Sequence, residues 1–94
     1  MHSLYIIYSK SIDRFYIGES EDAHERLKMH IAHSFKKAFT KAASDWIIVL
    51  DLKCNSKSDA VFLERFIKRM KSRVFIEKVI ADPEMLRDIL KKKR

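Results

Sequence analysis

The fold is decided by the stretch SLYIIYSKSIDRFYIG, residues 3–18 of a 94-residue chain. Residues 4–8 and residues 14–18 are mostly β-branched or aromatic, and the polar residues 9–13 separate them. Two such runs around a short polar segment are typical of a β-hairpin, because β-branched and aromatic side chains pack well on a pleated surface. We therefore predict two antiparallel strands at the start of the chain.

Alternation along these strands predicts which side chains share a face. Successive side chains of a strand point to opposite faces, so Tyr5 lies on the face of Ile7, and Tyr16 lies on the face of Gly18. Gly18 is the only glycine of the chain. We expect it to leave space in the backbone beside Tyr16.

A helix is predicted for residues 21–33, because acidic residues at its start suit the positive end of the helix dipole. Arg26 and His30 are four residues apart and therefore neighbours on one side of this helix. Residues 34–45 lose the helical periodicity and are predicted to form a basic loop. Its positive charges are those of Lys36, Lys37 and Lys41.

The middle of the chain predicts a third strand followed by a helix. Residues 46–50 are a continuous apolar run, which favours a strand buried on both faces. A helix beginning near Ser58 follows, with Glu64 beside its apolar stripe. The stripe consists of Leu63, Phe66, Ile67 and Met70.

The end of the chain is predicted to be helical. Residues 74–80 fit a short helix better than an isolated strand. Asp82-Pro83-Glu84 is typical of a helix start, with aspartate as N-cap and proline at the first helical position, and this helix is expected to end near Lys92. Its apolar residues either pack on the core, which we favour, or form an exposed stripe for a protein partner. They are Met85, Leu86, Ile89 and Leu90.

Composition indicates one compact domain spanning residues 1–94. Apolar residues make up 47% and charged residues 35%, with one glycine and one proline, which does not suit a disordered chain. No apolar run approaches the roughly 18 residues that cross a bilayer, so we expect no membrane association. Cys54 is the only cysteine, which excludes an intramolecular disulfide and suits a reducing, cytoplasmic location.

Positive charge is concentrated in the C-terminal third. The formal net charge is +7, and residues 68–94 carry ten Lys or Arg against four Asp or Glu. Basic surfaces bind phosphate backbones and release condensed counterions. We therefore predict nucleic acid as the partner, with Lys68, Lys71 and Arg73 in contact with it.

Several short motifs follow one another in a fixed order between residues 3 and 80. They are Ser3-Leu4-Tyr5, Tyr16-Ile17-Gly18, the turn Glu19-Ser20-Glu21-Asp22, Arg26-Leu27 with His30, and Ala60 to Glu64 leading into Ile67-Lys68. The ordered series resembles the GIY-YIG nuclease domain, and more narrowly its small stand-alone members related to the UvrC N-terminal domain.

The resemblance implies an α+β fold with a small three-stranded antiparallel sheet flanked by helices. It also implies a metal-dependent endonuclease that hydrolyses phosphodiester bonds in DNA, in repair or recombination, with one Mg²⁺ or Mn²⁺. By likeness to the family, Tyr5 deprotonates or orients the attacking water, and Tyr16 shares its hydrogen-bond network. Arg26 holds the scissile phosphate, and Glu64 binds the metal. His30 is a phosphate donor, a partner of a tyrosine, or a partly buried helix residue.

These roles fit the physical demands of phosphodiester hydrolysis. A guanidinium such as that of Arg26 can contact two phosphate oxygens at once. One carboxylate suffices for Mg²⁺, which usually keeps several waters. An unperturbed phenol has a pKa near 10 and is protonated at neutral pH. For Tyr5 to act as a base its pKa must fall by about two units, and we expect Arg26 and the metal to lower it.

Each of these residues also has a purely structural interpretation. Tyr5 and Tyr16 are ordinary strand formers whose rings pack. Glu64 and Lys68 are four residues apart on a helix and could form an ion pair, as could Arg26 with the aspartate four residues before it.

The sequence departs from the family pattern at two points. Ser3 stands where the first triplet has glycine, and no asparagine follows Asn55, whereas many relatives carry one that helps to hold the phosphate. Lys68 or Lys71 is the candidate replacement. The alternative function is therefore a catalytically weak nucleic-acid-binding module of the same fold. Because family domains commonly take specificity from an appended DNA-binding module, we expect a partner protein to supply it here.

Overall fold

The computed structural model describes residues 2–31 and 43–93. Within these ranges the strands form one antiparallel sheet in the order β2-β1-β3, and helices flank it, which confirms the predicted α+β fold. The elements in chain order are β1 (His2–Ser9), β2 (Arg14–Ser20), α1 (Ala23–Ile31), β3 (Trp46–Cys54), α2 (Lys57–Met70), α3 (Arg73–Ala81) and α4 (Glu84–Lys93).

The first two strands, β1 and β2, form the predicted hairpin. Tyr5 pairs with Gly18, two residues from Tyr16, so both tyrosines lie on one face of the sheet. The turn places Asp13 in the left-handed region with φ of 52°, which aspartate adopts more readily than most residues. Arg73 of α3 holds this turn by donating to the Asp13 carboxylate at 2.6 Å and to its carbonyl oxygen at 3.0 Å.

The third strand, β3, lies at the edge of the sheet and is longer than predicted, since it continues beyond Leu50 to Cys54. The prediction that residues 46–50 are buried on both faces is wrong, because Ile47 is 56% exposed. The central position belongs to β1, and Ile47 lies opposite Tyr8 near the end of the sheet.

The sheet separates two apolar clusters. The larger one packs β1 residues such as Leu4 against α2, α3 and α4, and it includes Leu63 and Ile67. The smaller one packs Tyr5 and Trp46 against α1. The helix that carries Arg26 and the helix that carries Glu64 therefore cover opposite faces of the sheet.

Helix α2 has a capping residue at each end. The Ser56 hydroxyl accepts a hydrogen bond from the N–H of Asp59 at 3.2 Å and caps the start of the helix, as expected for serine at this position. The prediction that Met70 belongs to the core stripe is wrong, since Met70 is 47% exposed. Directly after it, Lys71 turns the chain in the left-handed region with φ of 49°, so Met70 lies in the final turn of the helix.

The last two helices confirm that this part of the chain is helical, but the predicted start of α4 is one residue early, because Asp82 caps the end of α3 and Pro83 precedes the first helical residue. Residues 74–80 lie within α3, and α4 begins at Glu84 after Pro83. Leu86 is completely buried. The other apolar residues of α4 also pack against the larger cluster, so they do not form the exposed stripe that a protein partner would need. Among the helices described, none is both long enough and apolar enough to cross a bilayer.

Candidate active site

Tyr5 lies at the centre of the candidate site, on the central strand, and is only 2% exposed. Its ring lies over Gly18 of the neighbouring strand. A Cβ atom at Gly18 would come within 2.5 Å of the Tyr5 hydroxyl oxygen and 2.6 Å of Cζ. The expectation that this space lies beside Tyr16 is wrong, because the cross-strand neighbour fills it.

We expect Gly18→Ala to displace the Tyr5 ring and to lower the free energy of unfolding by about 1–3 kcal/mol, the usual cost of overpacking a core. Urea denaturation measures this loss. In a Tyr5→Leu background the same substitution should lower the free energy of unfolding by less, since the shorter side chain does not reach over Gly18. An equal loss in both backgrounds would show that the Tyr5 ring is not what the glycine accommodates.

Charged and phenolic groups surround the Tyr5 hydroxyl. Burial is the largest cause of a raised pKa of Tyr5, and the nearby Tyr16 raises it further. Arg26 acts in the opposite direction and lowers the pKa, whereas Glu64 and Glu19 raise it. These groups therefore lie within electrostatic reach of one hydroxyl, a convergence that spacing along the chain does not establish.

Among the protein's own groups, desolvation of the buried phenolate outweighs the attraction of Arg26, so together they raise the pKa of Tyr5 instead of lowering it. With these groups alone, the phenol of Tyr5 is protonated at neutral pH, and orientation of the water is the role that fits this state. The lowering of the pKa by a bound metal stays a prediction.

Helix α1 positions Arg26. The predicted helix start at residue 21 is two residues early, because the chain becomes helical at Ala23. The Asp22 carboxylate caps this end by accepting from the backbone N–H groups of His24 at 3.0 Å and Glu25 at 3.2 Å. The backbone N–H of Arg26 donates to the Asp22 carbonyl oxygen at 3.1 Å. Arg26 is therefore fixed one turn into a capped helix.

Helix α2, on the other face of the sheet, brings Glu64 and Lys68 toward the two tyrosines. The Lys68 ammonium lies 3.3 Å from Glu64 Oε2 and 5.7 Å from the centre of the Tyr16 ring. Because β2 is an edge strand, side chains of α2 reach around it to Tyr16. The Glu64–Lys68 pair considered as a structural alternative is present, but a partly exposed i,i+4 pair contributes only a few tenths of a kcal/mol.

Glu64 is a suitable ligand for a divalent metal. Mg²⁺ is usually held by one or two carboxylates, with water and substrate phosphate oxygens completing its octahedron. Within residues 2–31 and 43–93, no group of three or more His, Cys, Asp or Glu side chains forms a metal cage. A single carboxylate that is 22% exposed fits such an open, substrate-completed site.

Asp51 lies next to the site but is not among the predicted site residues. It pairs with Tyr5 across the sheet, and its Oδ2 accepts from Lys53 at 3.2 Å with His24 at 3.9 Å. Its buried Oδ1 has no hydrogen-bond partner among the described residues. Aspartate is depleted in strands. An acidic residue within the mostly apolar residues 46–54 therefore indicates a functional role for Asp51.

Two further residues next to the site have defined partners. Glu19, predicted only as part of a turn, contacts the ring of His2. Ser3, which stands in place of the family glycine, is 1% exposed and accepts from Lys53 at 3.2 Å. Ser3 therefore fits the buried site with its hydroxyl hydrogen-bonded.

The predicted basic residues fall into two groups. Lys68, Lys71 and Arg73 line one groove beside β2. Residues 36, 37 and 41 lie outside the described part of the chain, as does the side chain of His30, so the roles of Lys36, Lys37, Lys41 and His30 stay predictions.

Comparison with known proteins agrees with this geometry. The model of one protein family, the GIY-YIG catalytic domain, matches residues 1–77. No curated protein and no solved structure matches the chain. The narrower likeness to the UvrC N-terminal domain stays a prediction. Since the match covers most of the 94 residues, the chain belongs to the GIY-YIG family.

Proposed function

We propose that this protein is a metal-dependent endonuclease that hydrolyses phosphodiester bonds in DNA with Mg²⁺ or Mn²⁺. The observation that carries the proposal is the convergence at Tyr5, whose buried hydroxyl lies within electrostatic reach of Tyr16, Arg26 and Glu64. A phenol, a guanidinium and a carboxylate are the groups needed to orient water, bind phosphate and hold a hard cation.

In this proposal, Tyr5 and Arg26 prepare the two reactants. The neutral phenol of Tyr5 accepts a hydrogen bond from the attacking water and directs the lone pair of the water toward phosphorus. As the new P–O bond forms, the bond to the leaving oxygen breaks, and the proton lost by the water passes through solvent to that oxygen. Arg26 contacts the non-bridging oxygens, and its fixed charge stabilises the negative charge that builds up in the transition state. The burial of Tyr5 limits its mobility, which favours a single reactive geometry.

Glu64 and Lys68 complete the site. Glu64 would hold the divalent ion, which when bound supplies Lewis-acid stabilisation of the phosphate and the leaving oxygen. Lys68, now 3.3 Å from Glu64, would then be free to contact a phosphate oxygen. In this role Lys68 would replace the asparagine that many relatives use to hold the phosphate.

The test is a cleavage assay with labelled plasmid, single-stranded, flap and four-way-junction DNA, each with Mg²⁺, Mn²⁺ or EDTA. We expect cutting with either metal and none in EDTA. Products in EDTA would contradict the metal dependence, and no products on any substrate with either metal would contradict the activity.

Two observations favour a second function, a catalytically weak nucleic-acid-binding module. Lys68 forms an ion pair with the Glu64 carboxylate at 3.3 Å, and no asparagine follows Asn55. Salt-sensitive DNA binding in EDTA, together with no cleavage under any divalent metal, would identify this module.

The resemblance to the family also supports a proposal for the biological role of the protein. We propose a role in DNA repair or recombination in the cytoplasm. A protein partner would supply the specificity for the site of cleavage.

A further inference from the structure

A groove of about 340 Å³ lies between β2 and the corner where α2 meets α3. Its floor is apolar, with Ile17 and Ile67 almost completely buried and the half-buried Phe15 and Ile76 beside them. Its rim carries four cations and one acid, Asp13, so it is positive. The rim cations are Arg14, Lys68, Lys71 and Arg73.

The size and chemistry of this groove fit an unpaired nucleotide better than a duplex. A volume of about 340 Å³ is in the range of pockets that hold one small molecule, roughly 300–1,000 Å³. The outer surface of a duplex presents phosphates and keeps the faces of its bases stacked inside. A single strand exposes both phosphates and base faces, and proteins bind it with cationic grooves that contain apolar or aromatic surfaces.

Two rim residues are already positioned for such a ligand. The Arg73 guanidinium is held by Asp13 at 2.6 Å and lies 5.1 Å from the Phe15 ring centre, so it offers a fixed planar cation on which a base can stack. Lys71 stands at the corner in its left-handed conformation, and it is exposed. The rim therefore combines a fixed platform with an exposed ammonium group for a phosphate.

The groove is continuous with the candidate active site. Lys68 lines the groove, and the same ammonium lies 3.3 Å from Glu64 and 5.7 Å from the Tyr16 ring centre. We infer that the groove binds an unpaired strand directly beside the scissile phosphate, so that the substrate is single-stranded on one side of the cut. This inference rests on the proposed function, since the scissile phosphate must lie at Tyr5.

The test measures binding in EDTA, where a metal-dependent nuclease does not cut. Fluorescence anisotropy would compare a labelled oligo-dT strand with a dT·dA duplex of the same length, for wild type, Lys71→Gln and Ile76→Ala. The matched control is Lys91→Gln on α4, which makes the same charge change at a side chain that is 81% exposed and lies away from the groove.

We expect oligo-dT to bind more tightly than the duplex. Loss of one phosphate contact to a single strand should reduce the salt slope by about 0.7, which weakens binding about fivefold at 0.1 M salt. Lys71→Gln should show this loss, and Lys91→Gln should not. Ile76→Ala should weaken binding of oligo-dT more than binding of the duplex.

Equal or tighter binding of the duplex by the wild type would overturn the inference, as would equal losses in Lys71→Gln and Lys91→Gln. These outcomes are separate from those of the cleavage assay. A protein that binds oligo-dT in the groove but never cuts would refute the nuclease, whereas one that cuts and prefers duplex would refute the groove.

Discussion

Glu64→Gln is expected to reduce cleavage by about 1,000-fold or more, because the loss of a bound metal removes several kcal/mol of transition-state stabilisation and each 1.36 kcal/mol is a factor of ten in rate. Single-turnover cleavage with Mn²⁺ measures the effect. DNA binding in EDTA should be retained or slightly tighter, since the substitution removes a negative charge beside the phosphate.

The matched control is Glu84→Gln, which also removes the acid of a helical ion pair. Glu84 lies 3.3 Å from Arg87 on α4 and is 71% exposed, away from Tyr5. Its cleavage rate should equal that of the wild type. If Glu64→Gln cuts at a rate similar to Glu84→Gln, Glu64 is not the metal ligand.

Tyr5→Phe is expected to lower the rate constant for cleavage by about 100-fold or more, because the attacking water then loses the hydrogen bond that holds it in line with phosphorus. The variant keeps the ring over Gly18 and removes only the hydroxyl. DNA affinity should change little, because Arg26 and the basic rim remain. Single-turnover kinetics and anisotropy measured on the same protein separate the two effects, and a wild-type rate would remove Tyr5 from the chemistry.

The pH dependence of stability provides an independent measurement on the same variant. Burial raises the pKa of Tyr5 in the folded protein, whereas an unfolded tyrosine ionises near pH 10. Above that pH the unfolded chain loses a proton that the folded chain keeps, so stability is present below about pH 10 and falls as the pH rises. Tyr5→Phe should remove the part of this alkaline loss of stability that the ionisation of Tyr5 causes. Identical alkaline unfolding of both proteins would show that Tyr5 is not buried as described.

Local patterns predicted most of the elements, and the errors arose where tertiary position decides burial. The hairpin follows from strand alternation, the helix over residues 74–80 from its periodicity, and the helix after Pro83 from residues typical of a helix start. Residues 46–50 are apolar enough for a central strand, but strand order is a property of the whole sheet, and β3 is at its edge. Met70 continues the apolar period of α2 yet lies in the last turn, because Lys71 ends the helix.

The sequence proposes the members of the candidate site, but neither their convergence nor their electrostatics follows from spacing along the chain. The motif order points to Tyr5, Tyr16, Arg26 and Glu64, and the structure places them around one hydroxyl. The direction of the Tyr5 pKa shift depends on whether desolvation of the ring outweighs the attraction of Arg26. Residue spacing along the chain reveals neither effect. Asp51 was missed because its proximity to Tyr5 comes from pairing between β1 and β3, which are distant in sequence.

The close approach of Tyr5 to Gly18 also restricts how the first two strands can align. Sliding β2 by two residues would keep every side chain on its proper face, so the apolar pattern alone would tolerate it. Such a slip would place Ser20 or Tyr16 opposite Tyr5 instead of Gly18, and either residue has the Cβ atom for which the ring leaves no room. The only glycine of the chain therefore selects one alignment of the hairpin, and a misaligned hairpin cannot form the site.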